Sequence, residues 1–304
     1  MALSMTACGS SNSAAETTAA DTEAAESQAE ETTAEEAKTT DGGTLIVGFD
    51  QDFPPMGFVG DNGEYTGFDL DLAKEVASRL GLEYKAQPVA WDSKDMELES
   101  GNIDCIWNGF TMNGREDDYT FSVPYVDNSQ VIVVADNSGI EKLTDLAGKT
   151  VGVQAASAAL DLLQSEEEGG QKELADTFGA LNEFADYNTA FTELQAGALD
   201  ALAIDIGVAK YQLNSRGEGF KILDETLNTE QYAIGFKKGN DELCDIVNAD
   251  LQKLADDGTV AELAEKYEIA DMVTLKASDD ADAKEDTEEA SDDAAAEETS
   301  EDAE

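Results

Sequence analysis

Apolar and polar positions follow two different spacings along this chain, and the switches between them mark its elements. Thr44-Leu45-Ile46-Val47-Gly48-Phe49 is a short β-branched apolar run that predicts a strand. The turn segment Asp52-Phe53-Pro54-Pro55 follows, and then Asp61-Asn62-Gly63, a hairpin signal. Between Gly67 and Gly81 the spacing lengthens to that of a helix. Leu72, Val76 and Leu80 fall on one face there, Asp69 can cap the start and Gly81 can end it. A strand over 83–88, a helix over 94–100 and a strand over 103–107 complete a βαβ pattern. That alternation predicts a mostly parallel sheet with helices on its faces.

A second cycle begins after Tyr125. Strands are predicted at 131–134, 150–153, 184–187 and 201–204, with Ser157 capping a helix through Leu160 and Leu163 and Thr189 capping another that runs to Gly197. A last strand over 232–236 precedes helices over 241–256 and 259–267, the first with Leu243, Val247, Leu251 and Leu254 at helical spacing. No fixed-period repeat is present, so a solenoid is excluded.

Charge divides the chain differently. Residues 9–43 hold nine acids and one Lys, and residues 277–304 hold fourteen acids and one Lys, both built from Ala, Glu, Asp, Ser and Thr. Such segments bury too little apolar surface to offset the entropy of ordering, so both are expected to be disordered acidic arms. Residues 44–276 keep 45 acids and 16 bases, a net charge of −29 within a chain total of −50. Phosphate backbones and anionic surfaces repel such a protein, which argues against a nucleic-acid partner. The chain has no histidine. Ser/His/Asp and Cys/His nucleophile systems and imidazole zinc sites are therefore excluded, and no metal or cofactor is expected.

Met5-Thr6-Ala7-Cys8 resembles the lipobox at which bacterial lipoproteins are cleaved and lipidated, with Met where Leu is usual and most of a signal peptide absent. On that reading 1–8 is the remnant of a signal, its start placed late, and an acylated Cys8 tethers the domain to the outer face of the cytoplasmic membrane through 9–43. The plainer alternative is an accidental Cys in a polar arm. Cys105 and Cys244 read as buried small apolar side chains, with a disulfide between them left open.

Several segments stand in a familiar order. They are Ile46-Val47-Gly48-Phe49-Asp50-Gln51-Asp52-Phe53-Pro54-Pro55-Met56-Gly57-Phe58, Gly67-Phe68-Asp69-Leu70-Asp71-Leu72-Ala73, Gly101-Asn102-Ile103-Asp104 and Asn108-Gly109-Phe110-Thr111-Met112-Asn113-Gly114-Arg115. Phe121-Ser122-Val123-Pro124-Tyr125, Gly148-Lys149-Thr150-Val151-Gly152-Val153-Gln154, Leu199-Asp200-Ala201 and Asp257-Gly258-Thr259 continue it. Over 44–272 the chain resembles the polar amino-acid-binding proteins, family 3 of the extracellular solute-binding subunits of ABC importers. The resemblance implies an α/β, two-lobe periplasmic-binding-protein-like fold of type II, with the ligand between lobes joined by hinges near 125–129 and 230–232. Lobe 1 would comprise 44–127 and the return 231–276, and lobe 2 would comprise 128–230.

A free amino acid is a zwitterion, so a buried site for it needs a cation, an anion and partners for the remaining polar atoms. Arg115, one of three arginines, matches the family residue that holds the ligand carboxylate, and a guanidinium does this bidentately where Lys cannot. The resemblance adds Thr111 and Gly109 to that carboxylate, with backbone N–H groups of Ser157 and Ala158, although Ala155 and Ala156 stand where glycine is common. Asp205, at the end of a strand, matches the carboxylate that takes the ammonium, and a helix N-cap is a compatible second role. Phe53 and Trp91 match the aromatic pair around the ligand side chain, with plain core aromatics as the alternative. Asp50 matches a side-chain contact. Trp107 and Asn108 replace small residues common in the family.

The function these observations predict is a lipid-anchored, monomeric binding protein that closes on a free, polar amino acid and delivers it to an ABC permease, with no catalysis. An amino-acid-sensing extracellular domain is the alternative, and an enzyme on the same scaffold a more distant one.

Overall fold

The computed structural model describes residues 43–278. Cys8, the proposed signal remnant, the tether up to residue 42 and the acidic arm from residue 279 onward lie outside the described residues. In order along the chain the strands are β1 (Thr44–Phe49), β2 (Asp52–Phe53), β3 (Gly57–Val59), β4 (Tyr65–Thr66), β5 (Glu83–Pro88), β6 (Cys105–Ile106), β7 (Tyr119–Phe121) and β8 (Val126–Ala135). They continue as β9 (Thr150–Gln154), β10 (Ala180–Phe184), β11 (Ala201–Asp205), β12 (Phe220–Ile222), β13 (Asn228–Tyr232) and β14 (Gly235–Lys237). The helices are α1 (Phe68–Arg79), α2 (Lys94–Glu99), α3 (Ala158–Gln164), α4 (Lys172–Ala175), α5 (Tyr187–Gln195), α6 (Ile206–Arg216), α7 (Asp241–Asp256) and α8 (Thr259–Lys266).

These strands form two main sheets. The first has the order β5-β1-β6-β14-β7 and the second β10-β9-β11-β8-β12, with β13 also on β8, while β2, β3 and β4 make a small hairpin sheet. Parallel pairing holds along one side of each, β1 with β5 and β6, and β9 with β10 and β11. The rest departs from the mostly parallel expectation, because β14 runs antiparallel to β6 and β7, and β8 runs antiparallel to β11, β12 and β13. Strands that carry the chain between sheets enter without a helical crossover, and a parallel neighbour requires one.

The chain leaves the first sheet between β7 and β8 and returns to it between β13 and β14. The two crossing strands are neighbours, with Val126 opposite Tyr232 and Gln130 opposite Asn228. α1 packs on β1 and β5 and against α7 and α8, through Leu72, Ala73 and Val76 on one side and Val247, Leu251 and Leu254 on the other. That side of α7 is the apolar row read from the sequence.

Five local expectations are corrected. Asp69 does not cap α1, whose N-cap is Gly67, because its carboxylate is turned into the core. The strand expected over 184–187 ends at Phe184, and Asp186 rather than Thr189 caps α5, accepting from the Thr189 N–H at 2.7 Å. The strand expected over 103–107 is reduced to Cys105–Ile106. Asp205 sits at the N-cap of α6 but makes no side-chain capping bond, since its oxygens are engaged elsewhere. Ser157 caps α3 as expected, its Oγ accepting from the Leu160 N–H at 3.2 Å. Cys105 and Cys244 are both buried and free, so the disulfide left open by the sequence is not formed.

Candidate functional site

The loop after β6 is built around a glycine. Gly109 has φ +55, and a Cβ there would lie 2.7 Å from Phe53 Cε1 and 3.0 Å from Tyr232 Cε2, so only glycine fits. Its N–H donates to Asp69 Oδ2 at 2.5 Å, and Tyr125 Oη donates to Asp69 Oδ1 at 2.8 Å. A fully buried carboxylate thus fixes the turn, and burial pushes its pKa up to about 7 against those two hydrogen bonds.

From that turn the chain presents Thr111 and Arg115. Arg115 Nη1 donates to Thr111 O at 3.3 Å, Nη2 donates to Asp161 Oδ2 on α3 at 2.7 Å, and Cζ stands 5.0 Å from the Phe110 ring centroid. The guanidinium therefore faces the second sheet's elements while resting on an aromatic wall of the first. Thr111 Oγ1 donates to Glu230 Oε1 at 2.7 Å, so the hydroxyl that the resemblance assigns to a ligand carboxylate is held by an acid of β13.

Across from it lies a buried carboxylate pair. Asp205 Oδ1 accepts from Asn128 Nδ2 and Gln130 Nε2, both at 2.8 Å, and from Tyr232 Oη at 2.7 Å. Glu230 Oε1 accepts from the same two amide nitrogens, both at 2.8 Å. Burial and the neighbouring Glu230 charge raise Asp205 to about 7. The Asn128 and Gln130 side-chain oxygens have no hydrogen-bond partner, nor has Asn108 Nδ2, all three being buried among the described residues. Tyr187 and Tyr232 are pushed well above the usual phenol range, first by burial and then by the Asp205 charge.

Asp50 closes the third side. Its N–H donates to Asn108 Oδ1 at 2.5 Å, its Oδ1 accepts from the Asp52 N–H at 2.9 Å, and its Oδ2 accepts from Gln154 Nε2 at 2.6 Å. Burial raises it to about 6. Asn188 Nδ2 donates to Asp52 Oδ1 at 2.6 Å, a second polar link between the sheets' elements. Phe53 is buried against Tyr187, ring centroids 6.0 Å apart, and Trp91 against Phe110 at 5.9 Å, edge to face. Both aromatics face this region, each with a different ring partner. Trp107 lies in the core, fully buried.

The structure thus gathers Asp50, Phe53, Trp91, Gly109, Thr111, Arg115 and Asp205 around one interface between two sheets. Ser157 and Ala158 open α3 on its far side, where the first N–H groups of a helix lack intrahelical acceptors. The residue before them, Ala156, takes φ +54, the conformation for which glycine is the usual choice. Lys94, Asn128, Gln130, Gln154, Tyr187 and Glu230 were not anticipated. The strand residues had a readable signal: in β8, Val126, Asn128, Gln130, Ile132 and Val134 share one face, and two amides interrupt its apolar period.

Two α/β lobes, with the partly buried Arg115 on one side and buried carboxylates on the other, define a binding protein for a small solute. Comparison places it. A family model for bacterial extracellular solute-binding proteins, family 3, matches residues 45–270, and the chain belongs to that family. It is 31% identical over 238 residues to the L-cystine-binding protein TcyJ of Escherichia coli, covering 77% of this chain and 86% of that protein. It is 32% identical over 268 residues to the arginine-binding extracellular protein ArtP of Bacillus subtilis, covering 86% and 92%. Among solved structures, an ABC uptake transporter substrate-binding protein from Streptococcus pneumoniae with bound histidine superposes with a TM-score of 0.71 at 34% identity, covering 76% of this chain and 94% of that one. These relatives are binding proteins rather than enzymes. Among the described residues no helix is long and apolar enough to cross a membrane.

Proposed function

We propose that this protein binds a free polar amino acid between its lobes and delivers it to the permease of an ABC importer. The observation that supports this is that one loop presents Arg115, which donates to Asp161, and Thr111, which donates to Glu230 of the buried Asp205–Glu230 pair, so that a cation and an anionic centre meet at one loop. The α-carboxylate would take Arg115 in place of Asp161, with the N–H groups of Ser157 and Ala158 beside it and Gly109 and Thr111 beneath. The ammonium would take Asp205. The side chain would extend between Phe53 and Trp91 toward Asp50. No step of bond making is assigned to these groups.

On this reading lobe 1 comprises 44–127 and 231–276 and lobe 2 comprises 128–230, and the paired strands β8 and β13 form the hinge. The contacts from Gln154 to Asp50, Asn188 to Asp52 and Arg115 to Asp161 are those that form on closure. The protein acts as a monomer, held by an acylated Cys8 at the outer face of the membrane. The relatives' ligands, cystine, arginine and histidine, support a polar amino acid without choosing one. Equilibrium binding of the common L-amino acids and L-cystine to the wild type and to Arg115→Ala tests the reading. Binding of one ligand, lost in the variant, supports it, and binding that survives the variant refutes the site.

A further inference from the structure

Lys94 is the second cation of this region, and an amino acid with a neutral side chain has no use for it. The residue is 4% exposed, in a class of side chain that is almost never fully buried unless paired. Its ammonium carries three donors, yet among the described residues it makes one hydrogen bond, to Ala156 O at 3.2 Å, across the cleft. Asp95 Oδ1 is 3.9 Å away on a 60% exposed side chain, and that oxygen already accepts from Tyr119 Oη. Burial holds Lys94 below the usual ammonium value and the Arg115 charge adds to this, against the opposing charges of Asp95, Asp161 and Asp92.

Its position is set by the aromatic wall of the ligand site. Lys94 Nζ stands 5.2 Å from the Trp91 ring centroid, Trp91 meets Phe110 edge to face at 5.9 Å, and Arg115 Cζ stands 5.0 Å from the Phe110 centroid. Lys94 and Arg115 therefore share one wall. Arg115 suffices for an α-carboxylate, and a buried ammonium beside it with a single hydrogen bond is matched by a further anion on the ligand.

We infer that Lys94 is a ligand-binding residue that takes a second carboxylate of the substrate, so that the protein selects amino acids with two carboxylates over those with one. The inference rests on the amino-acid reading of the Arg115 site. Asp50 and the Asp205–Glu230 pair add two separate anionic positions, so a substrate with two ammonium–carboxylate heads fits the same cleft as well as a dicarboxylic amino acid.

Matched pairs decide it. Binding of L-glutamate against L-glutamine, L-aspartate against L-asparagine, and L-cystine against S-methyl-L-cysteine is measured by calorimetry on the full chain and on Lys94→Met, which keeps the aliphatic stem over Trp91. The expected result is a two-carboxylate ligand bound at least about tenfold tighter than its partner, with that ratio abolished in Lys94→Met while the single-carboxylate ligand weakens less than about threefold. Thermal unfolding of the unliganded variant confirms that it folds, and Lys94→Arg, which keeps the charge, is expected to retain part of the ratio. Arg115-dependent binding with no such preference, or equal weakening of both members in Lys94→Met, overturns this inference and leaves the amino-acid reading standing. No binding by any amino acid overturns both.

Discussion

Asp205 and Glu230 share two donors: Asn128 Nδ2 and Gln130 Nε2 each lie 2.8 Å from both Asp205 Oδ1 and Glu230 Oε1. Like charges this close resist joint ionisation, and amide dipoles offset only part of the repulsion. Asp205 ends a strand of the second sheet, whereas Asn128, Gln130 and Glu230 belong to the crossing strands β8 and β13. The anionic centre is thus made largely by the strands on which the chain passes between the two sheets, and on the proposed reading a cation placed there acts on the hinge directly.

The pH dependence follows with two opposite signs. Asp50 is raised to about 6, and Asp69 and Asp205 to about 7, from the ordinary 3.8, chiefly by burial. The folded protein holds these protons more tightly than the unfolded chain. Their stabilisation is complete below pH 3.8 and is lost as the pH rises through 6 and 7. The unliganded protein is expected to lose at least about 4 °C in Tm between pH 5 and pH 8, and to keep this difference in about 1 M salt, where surface repulsion is screened. Ligand affinity moves the other way, because an ammonium requires ionised Asp205. It should rise up to about tenfold per pH unit below 7 and level off above. Calorimetric titration across pH 5 to 8 would contradict this if affinity fell.

Asp69→Ala leaves the Gly109 N–H and the Tyr125 hydroxyl without their acceptor in the core. Two orphaned buried donors cost about 2–5 kcal/mol, a drop in Tm of roughly 5–15 °C. Because the Gly109 turn positions Thr111 and Arg115, ligand affinity should fall as well. Asp69→Asn, which keeps an acceptor, should cost less than half as much in thermal denaturation.

Gly109→Ala puts a methyl 2.7 Å from the Phe53 ring and holds an L-residue at φ +55. The strained backbone alone costs about 1–2 kcal/mol, and the clash adds to it. Displacing Phe53, the variant should bind ligand at least about tenfold more weakly even where it remains folded. A variant with lowered Tm and wild-type affinity would show that this turn does not govern the site.

Arg115→Lys keeps the charge and removes the fork. A single ammonium loses one of two carboxylate bonds and the flat stack on Phe110, so affinity should fall about 10–100-fold with little change in unliganded Tm.

Much of this was legible in the sequence, for identifiable reasons. Leu72, Val76, Val247, Leu251 and Leu254 give long helices away because their burial is periodic. Arg115, Asp205 and Gly109 were singled out through the family resemblance, which places each at a motif position, and the structure sets each of them at the interface between the two sheets. Glu230 and Lys94 were not singled out, since a lone acid or lysine in so charged a chain reads as surface until a distant neighbour buries it: Gln130 lies 100 residues before Glu230, and Ala156 lies 62 residues after Lys94. Asp69 misled for a similar reason. A carboxylate in a first helical turn has a local use, and its long-range one, at Gly109, appears only when the loop after β6 folds onto the start of α1.

The most direct test of the account is thermal unfolding of the full chain against each common L-amino acid and L-cystine, repeated with the responding ligand's α-decarboxylated and α-deaminated analogues. One responder is predicted, adding about 2.7 kcal/mol at 100 times its Kd, with both analogues inactive and the response lost in Arg115→Ala and Asp205→Asn. An unchanged Tm across the panel, or a response that survives both substitutions, would contradict it.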